Sequence, residues 1–223
     1  ITGEVGTGKE QTARAIHENS SRAAAPFVSI SCAATPTNLL GAELFGHEKD
    51  AFAGANEQRI GQIESATGGT LFLDEIGDLA QELQMQLARF LEQKTIRRNG
   101  GTDFIPVNVR VITATNVNLE QAVRDGRFRE DLFYRLHVLH LRVPPLRERR
   151  GDVELLARHF FNKFAAEVKT VAKGFSREAL EVINRYEWPG NVRELLNRVR
   201  RAVLLSEGPY ISPADMELER RSL

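Results

Sequence analysis

Short β-branched runs alternate with amphipathic stretches through the first two thirds of the chain, the pattern of a parallel sheet covered by helices. The runs Phe27–Ser31, Thr70–Leu73, Val109–Ala114 and Val138–Arg142 read as strands. Leu83, Leu87, Phe90 and Leu91 recur at helical spacing on one face of a stretch that ends near Lys94. The extended Thr95–Arg98 segment then meets Asn99-Gly100-Gly101 ahead of a further extended segment, which predicts a β-hairpin turn. Beyond Pro144-Pro145 the β-branched runs stop, and from Gly151 the periodicity is helical. Helices are expected over Val153–Phe164, Ser176–Tyr186 and Asn191–Leu205. The last carries Val192, Leu195, Leu196, Val199 and Val203 on one face, with Asn191 placed to cap it. The predicted class is α/β, with a parallel-sheet core over 1–145 and a small α-helical lid over 146–223.

With 42% hydrophobic and 27% charged residues in 223, the chain can bury one such core plus an appendage. No apolar stretch approaches the roughly 20 residues a spanning helix needs, and no basic leader opens the chain, so a cytoplasmic location is the expectation. Cys32 is the single cysteine and cannot form an internal disulfide, and the histidines do not pair at a metal spacing. Thirty basic and 30 acidic side chains cancel, so contact with DNA is expected to come from another domain. Of Arg193, Arg198, Arg200 and Arg201 on the last helix, most read as a solvated face rather than a base-reading one. The chain opens at Ile1-Thr2-Gly3, already at a strand-to-loop junction, and is read as a fragment that lacks most of its first strand.

Several segments carry chemistry. Gly3-Glu4-Val5-Gly6-Thr7-Gly8-Lys9 fits a phosphate-cradling loop: glycines let backbone N–H groups converge on phosphate oxygens, and a lysine neutralises the terminal phosphates. A helix starting near Lys9 would add its positive N-terminal dipole. Glu10 occupies the position where Ser or Thr usually meets Mg2+. The apolar Thr70-Leu71-Phe72-Leu73 strand ends in Asp74-Glu75, which places two carboxylates at the ligand-facing edge of a parallel sheet. Asp74 is expected to hold Mg2+ through water and Glu75 to polarise the attacking water. Asn116, at the tip of the Val109–Ala114 strand, could orient water or the γ-phosphate, although a turn role is the commoner meaning of such an Asn. The Arg127–Arg135 stretch offers guanidinium groups for a neighbouring subunit's phosphates, or equally a surface network with its interleaved acids. Arg193, in the first turn of the last helix, is placed to report which nucleotide is bound.

Taken together, Gly6-Thr7-Gly8-Lys9-Glu10, Glu43-Leu44-Phe45-Gly46-His47-Glu48, Gly68–Glu75, Phe128-Arg129-Glu130-Asp131-Leu132 and Trp188–Leu195 resemble the AAA+ domain of sigma-54-dependent activators, the bacterial enhancer-binding proteins. The resemblance spans nearly the whole chain, and Glu10 is usual in that family. It implies a P-loop ATPase using ATP and Mg2+ in a hexameric ring, with Arg129 and Arg135 as trans-acting fingers, Asn116 in the first sensor and Arg193 as the second. It also implies a regulatory domain before this segment and a helix-turn-helix domain after it.

Two features depart from the family's pattern, the Asp50–Ala55 loop and Ser31. Where those activators carry Gly-Ala-Phe-Thr-Gly-Ala against the sigma factor, this chain has Asp50-Ala51-Phe52-Ala53-Gly54-Ala55. Phe52 keeps the apolar tip beside Ala53 and Gly54, but the threonine hydroxyl is gone and Asp50 lacks glycine's backbone freedom. Ser31 stands where the family places an Asn that restrains the catalytic Glu, so a weaker or water-mediated hold on Glu75 is expected. The leading expectation is a motor ATPase that remodels an RNA polymerase holoenzyme. The alternative is a nucleotide-gated assembly module that acts with the housekeeping sigma factor and little hydrolysis.

Overall fold

The computed structural model describes residues 1–52, 54–149 and 151–218, so Ala53 of the altered loop lies outside the described residues. These fall into two compact units, one of Ile1–Thr2 with Lys9–Arg142, the other of Gly3–Gly8 with Val143–Leu223. Among the described residues no helix is long and apolar enough to cross a membrane.

The first unit runs α1 (Lys9–Glu18), β1 (Phe27–Ser31), α2 (Thr37–Phe45), β2 (Gly46–His47), β3 (Arg59–Ile60), α3 (Gln62–Ser65), β4 (Thr70–Asp74), α4 (Gln81–Gln93), β5 (Thr95–Ile96), β6 (Ile105–Pro106), β7 (Arg110–Thr113), α5 (Leu119–Arg124) and α6 (Glu130–Leu136). Its main sheet is parallel in the order β1-β4-β7, with Phe27 opposite Thr70 and Thr70 opposite Arg110. β4 is the central strand and its Leu71, Phe72 and Leu73 are fully buried, which explains a continuous apolar run rather than an alternating one. α4 turns Leu83, Leu87 and Phe90 into the core, as its spacing predicts, and ends where Lys94 takes a left-handed conformation with φ 56°.

Two expectations in this unit need correcting. Val138–Arg142 is not a strand: it makes one parallel bridge, from Arg142 to Thr2, while Val138 and Leu139 are exposed. The Thr2 amide also bonds to the Leu141 carbonyl at 2.8 Å, and Thr2 bridges Thr115 as well. The hairpin exists and its turn forms at Asn99-Gly100, closed by the Gly101 amide on the Arg98 carbonyl at 2.9 Å, but its ladder is short. β5 and β6 pair only through Thr95 and Ile96 with Pro106 and Ile105, because Asn99 is drawn sideways into backbone bonds with Gly46 and Glu48.

The second unit is helical, with a 3-10 turn at Leu146–Glu148 followed by α7 (Asp152–Glu167), α8 (Arg177–Arg185) and α9 (Asn191–Leu205). Ser176 caps α8 by accepting from the Ala179 amide. Leu195, Val199 and Val203 are buried and Val192 and Leu196 partly so, the face read from their spacing. Trp188 sits at the centre of this core, fully buried, with its indole N–H donating to the Ile183 carbonyl at 2.9 Å. Arg193, Arg200 and Arg201 are exposed, whereas Arg198 is half-buried against Glu194 and Tyr186.

Candidate nucleotide site

In the first unit, β4 delivers Asp74 and Glu75 to the C-terminal edge of the sheet. Glu75 leaves the strand with φ 53° and ψ 49°, a left-handed conformation that a non-glycine residue adopts only when its surroundings impose it. That sharp exit aims its carboxylate along the sheet edge. One oxygen lies 3.5 Å from the ammonium of Lys9, the buried first residue of α1, and the other accepts the Asn116 backbone amide at 3.2 Å. Asn116 thus touches the acid through its main chain, from the tip of β7. Asp74 accepts the Glu75 amide at 3.1 Å. Its carboxyl titrates above the ordinary range because burial disfavours the charge and Glu75 repels it, with Lys9 and the Glu75 amide opposing. A half-buried Asp74 carboxylate with a second acid beside it suits a cation, and the residues present fit Mg2+, which takes one or two carboxylates together with substrate phosphates. Glu10, in the first turn of α1, adds to the negative field at Asp74 and reaches Arg14 at 3.4 Å.

Ser31 lies opposite Asp74 in the β1–β4 register, and the hold on Glu75 comes from Lys9 and the Asn116 amide. Cys32 is buried beside these acids, which with burial push its thiol up to about 12, so it stays protonated and unreactive.

Arg129 and Arg135 are carried by α6 and its N-cap. Arg129 forks onto Asp131 at 2.7 and 3.0 Å, and Arg135 meets Glu92 at 2.9 Å, with both guanidinium groups open to solvent. Gln84 fixes the backbone that presents Arg129. It is buried in α4, accepts the Arg129 amide at 2.8 Å and donates to the Leu79 and Arg127 carbonyls. Sequence reasoning missed it, although a glutamine next to Leu83 on an apolar helix face was the available signal.

The altered loop is described on both sides of Ala53. Asp50 takes φ 63°, the left-handed region that favours glycine, and its amide bonds to the Ala55 carbonyl at 2.8 Å. Asp is among the side chains that tolerate this conformation, so the substitution keeps the turn. Phe52 is 44% exposed, its ring meeting the edge of His47 at 5.0 Å, and Gly54 has open space around it.

In the second unit the turn Gly3–Gly8 carries Gly6 at φ 79° and Gly8 at φ 101°. A Cβ on Gly6 would stand 2.4 Å from the Gly190 carbonyl oxygen, so only glycine fits. The Gly6 carbonyl accepts from the amides of Val192 and Arg193 at 2.9 and 3.3 Å, which brings Arg193 to the turn. Asn191 does not cap α9 as expected. Gly190 is the N-cap, its amide held by Glu194 at 2.9 Å, and Asn191 is buried with its carboxamide directed at the turn. Arg147 and Arg149, which sequence reasoning passed over in the segment after Pro144-Pro145, bond to Glu4 and to the Thr7 carbonyl.

A glycine turn running into a helix at a buried lysine, and a parallel sheet whose central strand ends in a paired acid, define the AAA+ class of P-loop nucleoside triphosphatase folds. Within that class the chain belongs to the Sigma-54 interaction domain family, whose profile matches residues 1–142, and residues 147–222 match the AAA+ ATPase lid domain. It is 49% identical over 218 residues to the transcriptional regulatory protein ZraR of Escherichia coli (strain K12), covering 98% of this chain and 49% of that protein. To the regulatory protein AtoC of the same organism it is 50% identical over 216 residues, covering 97% of this chain and 47% of AtoC. The solved structure of NtrX from Brucella abortus in complex with ATP superposes with a TM-score of 0.88 at 38% identity, over 96% of this chain and 48% of that one. The chain therefore spans about half the length of these relatives.

Proposed function

We propose that this chain binds ATP with Mg2+ and hydrolyses it within a homo-oligomeric ring, a hexamer, and that turnover drives the Phe52 loop against an RNA polymerase holoenzyme carrying sigma-54. The observation that carries this reading is the Lys9–Glu75–Asn116 constellation at the tips of β4 and β7. Family membership supports the sigma-54 partner, and NtrX, which is solved with ATP, supports the nucleotide.

The Gly3, Glu4, Val5, Gly6, Thr7 and Gly8 backbone, Lys9 and Glu10 serve the phosphates, with Arg193 reporting from the first turn of α9. Asp74 holds Mg2+ through water, and the ion when bound supplies charge neutralisation on the phosphate oxygens. Glu75 orients water and accepts its proton as attack proceeds. Asn116 holds Glu75 through its backbone amide and is the proposed first sensor. Arg129 and Arg135, solvent-facing and tied only to carboxylates at the same surface, are suited to a neighbouring subunit's site. Domains of the longer protein supply regulation and DNA binding, and the molecule works in the cytoplasm.

Open-complex formation with purified polymerase carrying either sigma factor, with ATP or a non-hydrolysable analogue, tests this. Activation should require sigma-54 and ATP hydrolysis. Equal activation by the analogue with the housekeeping factor would leave only a nucleotide-gated assembly role.

A further inference from the structure

Asn191 combines two features that seldom coincide without a purpose. It is fully buried, and it holds φ 52°, three residues after Trp188 at φ 49°. Such conformations cost energy unless the surroundings over-determine them, and the strain directs attention to what the side chain reaches. Its Oδ1 accepts the buried Leu146 amide at 2.8 Å, while its Nδ2 donates to the Val5 carbonyl at 3.0 Å and to Glu4 Oε2 at 3.1 Å. The same carboxylate receives both Nη atoms of Arg147, Nη1 at 2.9 Å.

The pattern on the turn itself is directional. Val5 O accepts from Asn191, Gly6 O from the Val192 and Arg193 amides, and Thr7 O from Arg149 Nη1 at 3.3 Å. Three successive carbonyls are thus drawn toward the helical unit. In a trans peptide the N–H points opposite to the C=O of the same plane, so the amides of Gly6, Thr7 and Gly8 are turned away from those helices. The Thr7 amide meets the Glu4 carbonyl at 3.4 Å inside the turn, and amides that face away from the packed helices are the orientation an anion-binding nest uses.

We propose that Asn191, together with Glu4 and Arg147, is the positioning group that sets the backbone of the phosphate turn in its anion-binding orientation. Asn191 does not touch the nucleotide in this scheme. It holds Val5 O and the Glu4 side chain, and the turn's amides follow. The proposal rests on the nucleotide reading above and adds to it residues outside the glycine-lysine motif.

The test uses the full chain and a fluorescent ATP analogue, with steady-state ATP hydrolysis measured alongside. Asn191→Asp keeps the size and the acceptor for Leu146 but replaces the Nδ2 donor with an oxygen facing Val5 O and the Glu4 carboxylate. It should weaken analogue binding by about tenfold or more, the cost of breaking bonds to a charged group. KM for ATP should rise in step while kcat stays close to the parent, since an interaction made equally in ground and transition states is lost. Adding Glu4→Gln gives the new carboxylate an amide donor and should restore affinity to within about threefold, which a merely structural role would not do. Arg147→Gln, at an exposed position, should weaken binding in the same direction. Unchanged affinity in N191D would overturn the proposal, and so would a loss that E4Q leaves unrestored. A parent protein that fails to bind the analogue at all would sink the nucleotide reading itself.

Discussion

Lys9 and Glu75 form an ion pair across 3.5 Å, so under the proposed function the lysine that meets the phosphates also restrains the acid that activates the water. A triphosphate that competes for Lys9 would leave Glu75 held by the Asn116 amide alone among these two partners. The proposed function thereby links binding and water activation through one side chain.

Glu75→Ala should keep ATP binding and lose turnover by about 10²–10⁴-fold, the range for removing a general base. Phosphate release and analogue titration on the same preparation measure both. Turnover equal to the parent would remove Glu75 from the water-activating role.

Lys9→Ala removes the ammonium that meets the phosphates and should weaken ATP binding by roughly tenfold or more, as for lost charge-assisted bonds. Equilibrium dialysis with ATP reads the effect. Affinity within about twofold of the parent would count against the phosphate role.

Asp74 makes the stability of the nucleotide-free protein depend on pH. Its folded carboxyl titrates above the usual Asp value of 3.8, so the folded state holds this proton more tightly than the unfolded chain does. The resulting cost grows as pH rises through the folded value and is full near neutral pH. Asp74→Asn should raise Tm near neutral pH, and the gap should close as pH falls toward about 4. Calorimetry without nucleotide or Mg2+ checks this, and a gap that persists unchanged at low pH would contradict it.

Trp188→Ala empties the centre of the helical core and removes the bond to the Ile183 carbonyl. A loss of about 3–5 kcal/mol is expected, which in a chain of this size lowers Tm by roughly 6–20 °C. A fall of only a few degrees would show that the core closes over the cavity.

Phe52→Ala should abolish open-complex formation with sigma-54 polymerase while ATP binding persists, because the exposed ring is the apolar group the proposed function sets against the sigma factor. Promoter melting assays measure it. Undiminished melting would place the sigma contact elsewhere.

The parallel core, α4, the three lid helices and the glycine-lysine and paired-acid motifs were legible because each is a local pattern. Period 3.6 or an apolar run marks an element, and a short string of residue types marks its chemistry. Val138–Arg142 was misread because its run is strand-like, and pairing depends on which backbone lies beside it. Asn191 was misread for a similar reason: an Asn ahead of a helix is a cap by propensity, and here Glu194 serves Gly190 while the asparagine turns to the phosphate loop.

By itself the sequence determined the order of the elements, their buried faces and the residue types at the phosphate and acid positions, since hydrophobic period and motif spacing act between near neighbours. Only the tertiary structure decided that Glu75 is held by Lys9 and the Asn116 main chain, that Gln84 sets Arg129, and that Asn191 and Arg147 grip Glu4. Those bonds join residues up to 187 positions apart. Their partners are chosen by the packing of whole elements and by the need to pair every buried polar group, neither of which is written in any local stretch.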